Sequence, residues 1–191
     1  VLCGGTAFYD PTDGKNTFGY GKFTNVVTHL EFERILSGTG PCQGRLVRPA
    51  DGKSLQKIAW IQCVGSRDLQ ADADYCSNIC CMVAIKEALV AKEKTHANLE
   101  TAIFYMDMRT FGKSFQRYRD QAEITHGVRF ERVRIHTVEQ DADSNDLILR
   151  GVDSAGKATT ERFDMVVLTV GQRPAAGTDE LSALTGIDLN P

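Results

Sequence analysis

Apolar positions along the chain gather into short runs separated by polar helices and glycine-rich loops. Val1 to Pro11 begins with a short apolar stretch, then Cys3-Gly4-Gly5-Thr6, and predicts an opening strand. Residues 12–24, with Phe18-Gly-Tyr-Gly-Lys-Phe23, read as loop. Thr28 to Leu36 predicts a short helix capped by Thr28, with Glu31 three residues on completing a capping box. Ser37 to Ser54 is a glycine- and proline-rich connector in which Arg45–Arg48 is a brief strand. Lys57-Ile-Ala-Trp-Ile-Gln-Cys63 has the uninterrupted apolar character of a buried strand. Asp68 to Asn78 is a polar loop, and Ile79 to Lys94 gives the strongest helical pattern in the chain. Thr101–Met106, Lys113–His126 and Val128–Arg134 then predict strand, helix and strand. Leu147–Val152 and Ala158–Phe163 flank the turn Asp153-Ser-Ala-Gly156 as a hairpin, and Asp164-Met-Val-Val-Leu-Thr-Val-Gly171 is a last buried strand.

Strands alternating with helices imply parallel pairing through right-handed crossovers. The expected fold is α/β: a Rossmann-like three-layer unit from Lys57 to Gly171 with a β hairpin inserted before its last strand. The expected division is residues 1–50 as a partial domain of strand, loop and connector, 51–175 as the Rossmann-like subdomain, and 176–191 as a tail. The chain opens at Val1 and stops after Gly186-Ile-Asp-Leu-Asn-Pro191, which suggests a segment of a longer protein.

Composition changes this picture at one point. The 191 residues are 42% hydrophobic and 25% charged with a net charge of −3, which argues against a basic nucleic-acid or membrane-surface binder. No apolar run approaches the roughly 18 residues of a membrane span, and no signal peptide is evident, so a cytoplasmic location is expected. The six cysteines are the anomaly.

A Rossmann first strand normally runs into G-x-G-x-x-G and a helix N-terminus that holds pyrophosphate. Here that stretch is Cys63-Val-Gly65-Ser-Arg-Asp68, with one glycine of the three and a carboxylate at the third position. This argues against NAD binding at this spot. Cys63, Cys76, Cys80 and Cys81 occupy the place instead, with the spacing C-x12-C-x3-C-C. The switch point of such a sheet would bring all four thiols together at its carboxyl edge. Buried structural cysteines, a disulfide, zinc and an iron–sulfur cluster are the alternatives. Zinc prefers paired knuckles, and cytosolic disulfides are scarce. A cluster takes thiolates from more scattered positions, so the spacing favours iron–sulfur and leaves zinc open. Adjacent Cys80 and Cys81 diverge by about 100° on a helix, so both reach one body only at a distorted or marginal first turn. On the same helix, Lys86 falls within the arc of Ile79, Met82, Val83, Ile85, Leu89 and Val90. It either snorkels to water or presents a cation to an acceptor that gains negative charge.

These residues carry a resemblance. Trp60-Ile-Gln-Cys-Val-Gly-Ser-Arg-Asp68, Tyr75-Cys-Ser-Asn-Ile-Cys-Cys-Met82, Lys86-Glu-Ala88, Leu30-Glu-Phe-Glu-Arg34 and Ile103-Phe-Tyr-Met-Asp107 closely resemble the A subunit of heterodisulfide reductase. The A subunit of the quinone-interacting membrane-bound oxidoreductase complex is a near second. The resemblance implies an iron–sulfur flavoprotein oxidoreductase with a thioredoxin-reductase-like core that binds FAD. It implies a [4Fe–4S] cluster on Cys63, Cys76, Cys80 and Cys81, a flavin-proximal lysine at Lys86 and an acidic residue near the flavin at Glu33. Asp164 to Pro174 looks like the strand–glycine–proline return of such proteins, which makes Gly171, with Gly5, a candidate cofactor contact. Electrons would pass between flavin and cluster, and onward to partner subunits. The glycine fingerprint for the FAD pyrophosphate is absent from this chain, so the isolated chain is expected to bind FAD weakly or not at all and to be inactive alone. The alternative function is a zinc-holding structural or docking module of a larger complex. Cys42 is expected to be a free thiol and Asp107 structural, and the four histidines are given no chemistry.

Overall fold

The structure is a computed structural model and describes residues 5–95 and 98–189. Its centre is a parallel sheet of five strands: β2 (Val26–Thr28), β3 (Lys57–Val64), β4 (Glu100–Phe104), β5 (Arg129–Glu131) and β9 (Met165–Val170). Their spatial order is β2-β9-β3-β4-β5, with every neighbouring pair parallel. From β3 the chain steps outward through β4 to β5, whereas β9 lies on the other side of β3. The order therefore reverses between β3 and β9, and the crevice outside their carboxyl ends is where ligands bind in folds of this kind.

Both faces of this sheet are covered, which explains the unbroken apolar runs in β3 and β9. Helices α1 (His29–Leu36), α2 (Cys80–Lys94) and α3 (Phe115–Ile124) cover one face. Phe32, Ile58, Trp60, Ile85, Ile103 and Met165 form the core there, with Phe32 and Trp60 edge to face at 5.5 Å. The opposite face meets a second sheet, antiparallel in the order β6-β7-β8: β6 (Val133–Gln140), β7 (Leu147–Asp153) and β8 (Ala158–Phe163). Val133, Ile135, Leu147, Leu149 and Phe163 of that sheet pack on Ala59, Ile61, Phe104 and Leu168. The fold is thus Rossmann-like and three-layered, helices on parallel sheet on antiparallel sheet. A small antiparallel pair, β1 (Thr6–Phe8) with β10 (Gln172–Pro174), and the helix α4 (Thr178–Thr185) complete the described chain.

Local chemistry explains the elements. The expected capping box at α1 forms: the Glu31 N–H donates to Thr28 Oγ1 at 3.3 Å, and Glu31 Oε2 accepts the Thr28 N–H at 2.7 Å. Several expectations need correction. The apolar run 128–134 is two strands, not one. It breaks at Arg132, after which Val133, Ile135 and Val138 turn one face toward the parallel sheet as part of β6. The hairpin is accordingly two-thirds of a full layer. Arg45–Arg48 contributes only a bridge, Val47 to Ser54. Strands β2 and β10 arise where no separate strand was expected, and helix α4 where a tail was expected.

The wheel drawn for α2 is also corrected. Lys86 is exposed, while Glu87 and Lys92 are buried. Helix α2 packs against β3, β4 and β9 and also against α1 and α3, so small alanines and Glu87 face protein where a two-sided wheel assigns them to water. Among the described residues no helix is long and apolar enough to cross a membrane.

Candidate metal centre

The site forms where β3 stops being a strand. Pairing of β3 with β9 shifts register between Ile61 and Val64, and Cys63 takes a left-handed backbone with φ 59°. Of the eight non-glycine left-handed residues among those described, four (Cys63, Arg67, Asp72 and Asn78) lie in this one loop. Such conformations cost roughly 1–3 kcal/mol each and persist where surrounding contacts enforce them. Gly65, at φ 67°, could not be replaced without strain, because a Cβ there would fall 2.1 Å from the Tyr9 ring.

Buried serines hold the loop closed. The Ser77 hydroxyl and N–H both donate to Ser66 Oγ, at 3.0 and 3.2 Å, and the Ser66 hydroxyl donates to the Tyr75 carbonyl at 3.0 Å. Ser77 Oγ in turn accepts the Gln172 N–H at 2.8 Å. The limb carrying Cys63 is thereby fastened to the limb carrying Cys76 and to the end of β9. Asp68, expected to repel a pyrophosphate, caps a single 3-10 turn (Leu69–Ala71) by accepting the Gln70 N–H at 2.9 Å.

This closure gathers the four cysteines. All are free thiols, as is Cys42; Cys80 and Cys81 are buried, and Cys63 and Cys76 half-buried. Cys3 and His96 lie outside the described residues. Cys80, the first residue of α2, neighbours Cys63, and the interaction of the two thiols favours the thiolate at Cys63, lowering its pKa while raising that of Cys80. Cys80 also faces the Val170 carbonyl at 4.0 Å. Burial pushes the Cys81 thiol up, and Cys81 stands within electrostatic reach of both Cys63 and Cys76. The adjacent pair diverges: Cys80 looks toward the β3 and β9 ends, Cys81 toward Arg109, whose N–H donates to Cys81 Sγ at 3.4 Å. The Asn78 N–H donates to Cys76 Sγ at 3.4 Å. Among the described residues no three Cys, His, Asp or Glu side chains close around a position for one metal ion.

Sequence reasoning missed the cations at this edge. Arg67 stands within electrostatic reach of Cys63, and Arg109 of Cys76. Both also pair with Asp107: Arg67 Nη1 with Oδ1, and Arg109 Nη2 with Oδ2 at 3.4 Å. Partial burial raises the Asp107 pKa, but the hydrogen bond and charge of Arg67, with the charge of Arg109, carry it below the usual carboxylate range. A cavity of about 570 Å³ opens beside this cluster, lined among others by Cys63, Ser66, Arg67, Asp68, Met106 and Arg134.

Lys86 and Glu33 meet each other: Lys86 Nζ lies 2.7 Å from Glu33 Oε1, joining α2 to α1 at a partly open surface. The hydrogen bond that Lys86 donates to Glu33 raises the Lys86 pKa and keeps it charged. One residue further along α2, the Glu87 carboxyl is fully buried and accepts from Trp60 Nε1 at 2.8 Å, and burial raises its pKa to about 9. Its other oxygen has no partner. Gly171 sits where β9 meets the cysteine loop. Its N–H donates to the Val64 carbonyl at 2.8 Å, its own carbonyl accepts the Tyr9 N–H at 2.9 Å, and a Cβ there would meet Ser66 at 2.7 Å. Gly5 is exposed ahead of β1.

No protein-family model matches the chain. Known proteins do. An iron–sulfur A subunit of CoB–CoM heterodisulfide reductase from Methanopyrus kandleri is 40% identical over 183 residues, covering 95% of this chain and 28% of that protein. The A subunit of the H2:CoB-CoM heterodisulfide,ferredoxin reductase of Methanothermobacter thermautotrophicus is 39% identical over 188 residues, 98% of this chain and 28% of that protein. Among solved structures, a 2-naphthoyl-CoA reductase in complex with 2-naphthoyl-CoA superposes with a TM-score of 0.53 at 15% identity, over 94% of this chain and 20% of that one, a likeness of fold. Nearly all of this chain is therefore homologous to one portion, 28% of the length, of heterodisulfide reductase A subunits.

Proposed function

We propose that Cys63, Cys76, Cys80 and Cys81 hold a [4Fe–4S] cluster, and that the chain serves an electron-transfer oxidoreductase of the heterodisulfide reductase A type as its relay beside FAD. The observation that carries this reading is that Cys63 at the end of β3, Cys76 in the serine-stapled loop and Cys80 and Cys81 at the start of α2 lie within electrostatic reach of one another at the sheet's switch point. The donor set suits the group. Thiolates are the usual ligands of iron–sulfur clusters, and backbone N–H groups already aim at two of the sulfurs. A bound cluster supplies a one-electron station, and FAD supplies a two-electron one.

This chain's own residues do the rest. The serine-stapled loop holds the cysteines and, with buried Cys80 and Cys81, limits access of water and oxygen to them. Lys86 presents a fixed positive charge at the α1–α2 surface, where an adjoining flavin would gain negative charge on reduction. Glu33 orients that ammonium. The relatives are named as subunits, and we take partner proteins of such a complex as the source and destination of the electrons.

Anaerobic purification of the chain tests the cluster. The account expects a brown protein with about four irons and matching labile sulfide per chain, lost in Cys80→Ser, and little bound flavin. A colourless anaerobic protein carrying one zinc would establish the docking-module alternative instead.

A further inference from the structure

Two arginines, one in the cysteine loop and one after β4, converge on Asp107 beside the thiols. Arg67 is a non-glycine residue in left-handed backbone, φ 57°, four positions after Cys63, and it lines the same cavity as Cys63, with its charge within reach of that sulfur. Arg109 follows β4, with its backbone N–H donating to Cys81 Sγ at 3.4 Å and its charge within reach of Cys76. Cys81 thus accepts a hydrogen bond from Arg109, and Cys63 and Cys76 each lie within reach of an arginine's charge. Asp107 stands between the two guanidinium groups and engages one with each carboxylate oxygen. The set carries two positive charges and one negative, and it is half-buried, where charges are less screened than in open water.

Reduction of a cluster held by these cysteines adds one electron and no proton. The added negative charge is stabilised by nearby cations and opposed by nearby anions, because Coulomb energies grow as the surroundings become less polar. We propose that Arg67 and Arg109 form a cationic clamp that raises the reduction potential of this centre, with Asp107 as the positioning residue that holds both and tempers their charge. The proposal rests on the cluster reading above. A purely structural ion pair would bear on stability and leave the potential alone.

The test is an anaerobic redox titration of the whole chain with dithionite as electron source, followed by electron paramagnetic resonance. Arg67→Gln and Arg109→Gln are each expected to make reduction harder by at least tenfold in the equilibrium constant, a lowering of about 59 mV for a one-electron couple. Asp107→Asn is expected to shift the potential upward. Arg67→Lys, which keeps the charge, should stay closer to the parent than Arg67→Gln. Opposite signs for the arginine and aspartate variants are the signature, since general loosening of the loop moves all of them the same way. Parent protein without iron defeats the cluster reading and the clamp together. Parent protein with a full complement of iron, and variants that keep its potential or all shift in one direction, defeats the clamp alone. Iron lost from both arginine variants while Asp107→Asn and Arg67→Lys match the parent also overturns it.

Discussion

The two edges of the parallel sheet use charge in opposite ways. At the amino edge, strand starts are tied by complementary charge and regular backbone. Lys57 lies 2.8 Å from Glu161 and 3.3 Å from Glu100, and Arg129 lies 2.8 Å from Glu161. Asp164 accepts the N–H groups of Gln56 and Lys57 at 2.6 and 2.8 Å. At the carboxyl edge, β3 breaks register, the backbone turns left-handed at Cys63 and Arg67, and two arginines share one carboxylate beside the thiols. One edge uses its charges to hold strands together, and the other holds unfavourable backbone in place around four thiols. That division matches the general rule that open α/β sheets place their chemistry outside the carboxyl ends of the strands.

The sharpest way to break this comparison is at the carboxyl edge. Cys80→Ser should abolish iron binding in anaerobically loaded protein while leaving the far-ultraviolet circular dichroism of the sheet unchanged; retained iron would show that Cys80 is not a ligand. Next in size is Glu87, buried midway between the edges. Its folded pKa of about 9 exceeds the ordinary 4.5, so the folded state keeps a proton that the unfolded chain releases. Its stabilising contribution is complete below pH 4.5 and is lost as pH rises through about 9, by up to about 1.4 kcal/mol per pH unit. Urea titrations across that window should show the decline in the parent and a flatter profile in Glu87→Gln; equal slopes would mean that Glu87 does not titrate this way. At the amino edge, Asp164→Ala should cost about 1.5–3 kcal/mol in urea unfolding, the range for hydrogen bonds to a charged group, and leave iron content untouched. The smallest effect belongs to Lys86→Ala. Its pair with Glu33 is half-exposed, so stability should change by about 0.2–1 kcal/mol, and any larger consequence should appear only in flavin chemistry of the longer assembly.

Much of this was readable from residues alone, for definite reasons. The apolar runs at Ile58–Ile61 and Met165–Val170 are long and bounded, and strands buried on both faces leave that mark. The Thr28–Glu31 box names its own helix start. The four cysteines advertised themselves by spacing, and Lys86 and Glu33 by resemblance. What stayed hidden depends on partners distant in sequence. Arg67 and Asp107 are forty positions apart, and nothing in either says that they meet. The left-handed turn at Cys63 is a backbone property that a side chain other than glycine does not declare. Val133 and Ile135 look like the continuation of β5 because the pattern marks burial without saying which sheet provides it. Glu87 defied the wheel because Trp60, on another element, offers its indole N–H.

The central claim is that sulfur from Cys63, Cys76, Cys80 and Cys81 encloses one polynuclear iron body. Iron-edge X-ray absorption of the anaerobically prepared chain tests it most directly. The account predicts a shell of sulfur around iron together with iron neighbours at short range. A metal with no metal neighbour, or an iron shell made mainly of oxygen and nitrogen, would contradict it.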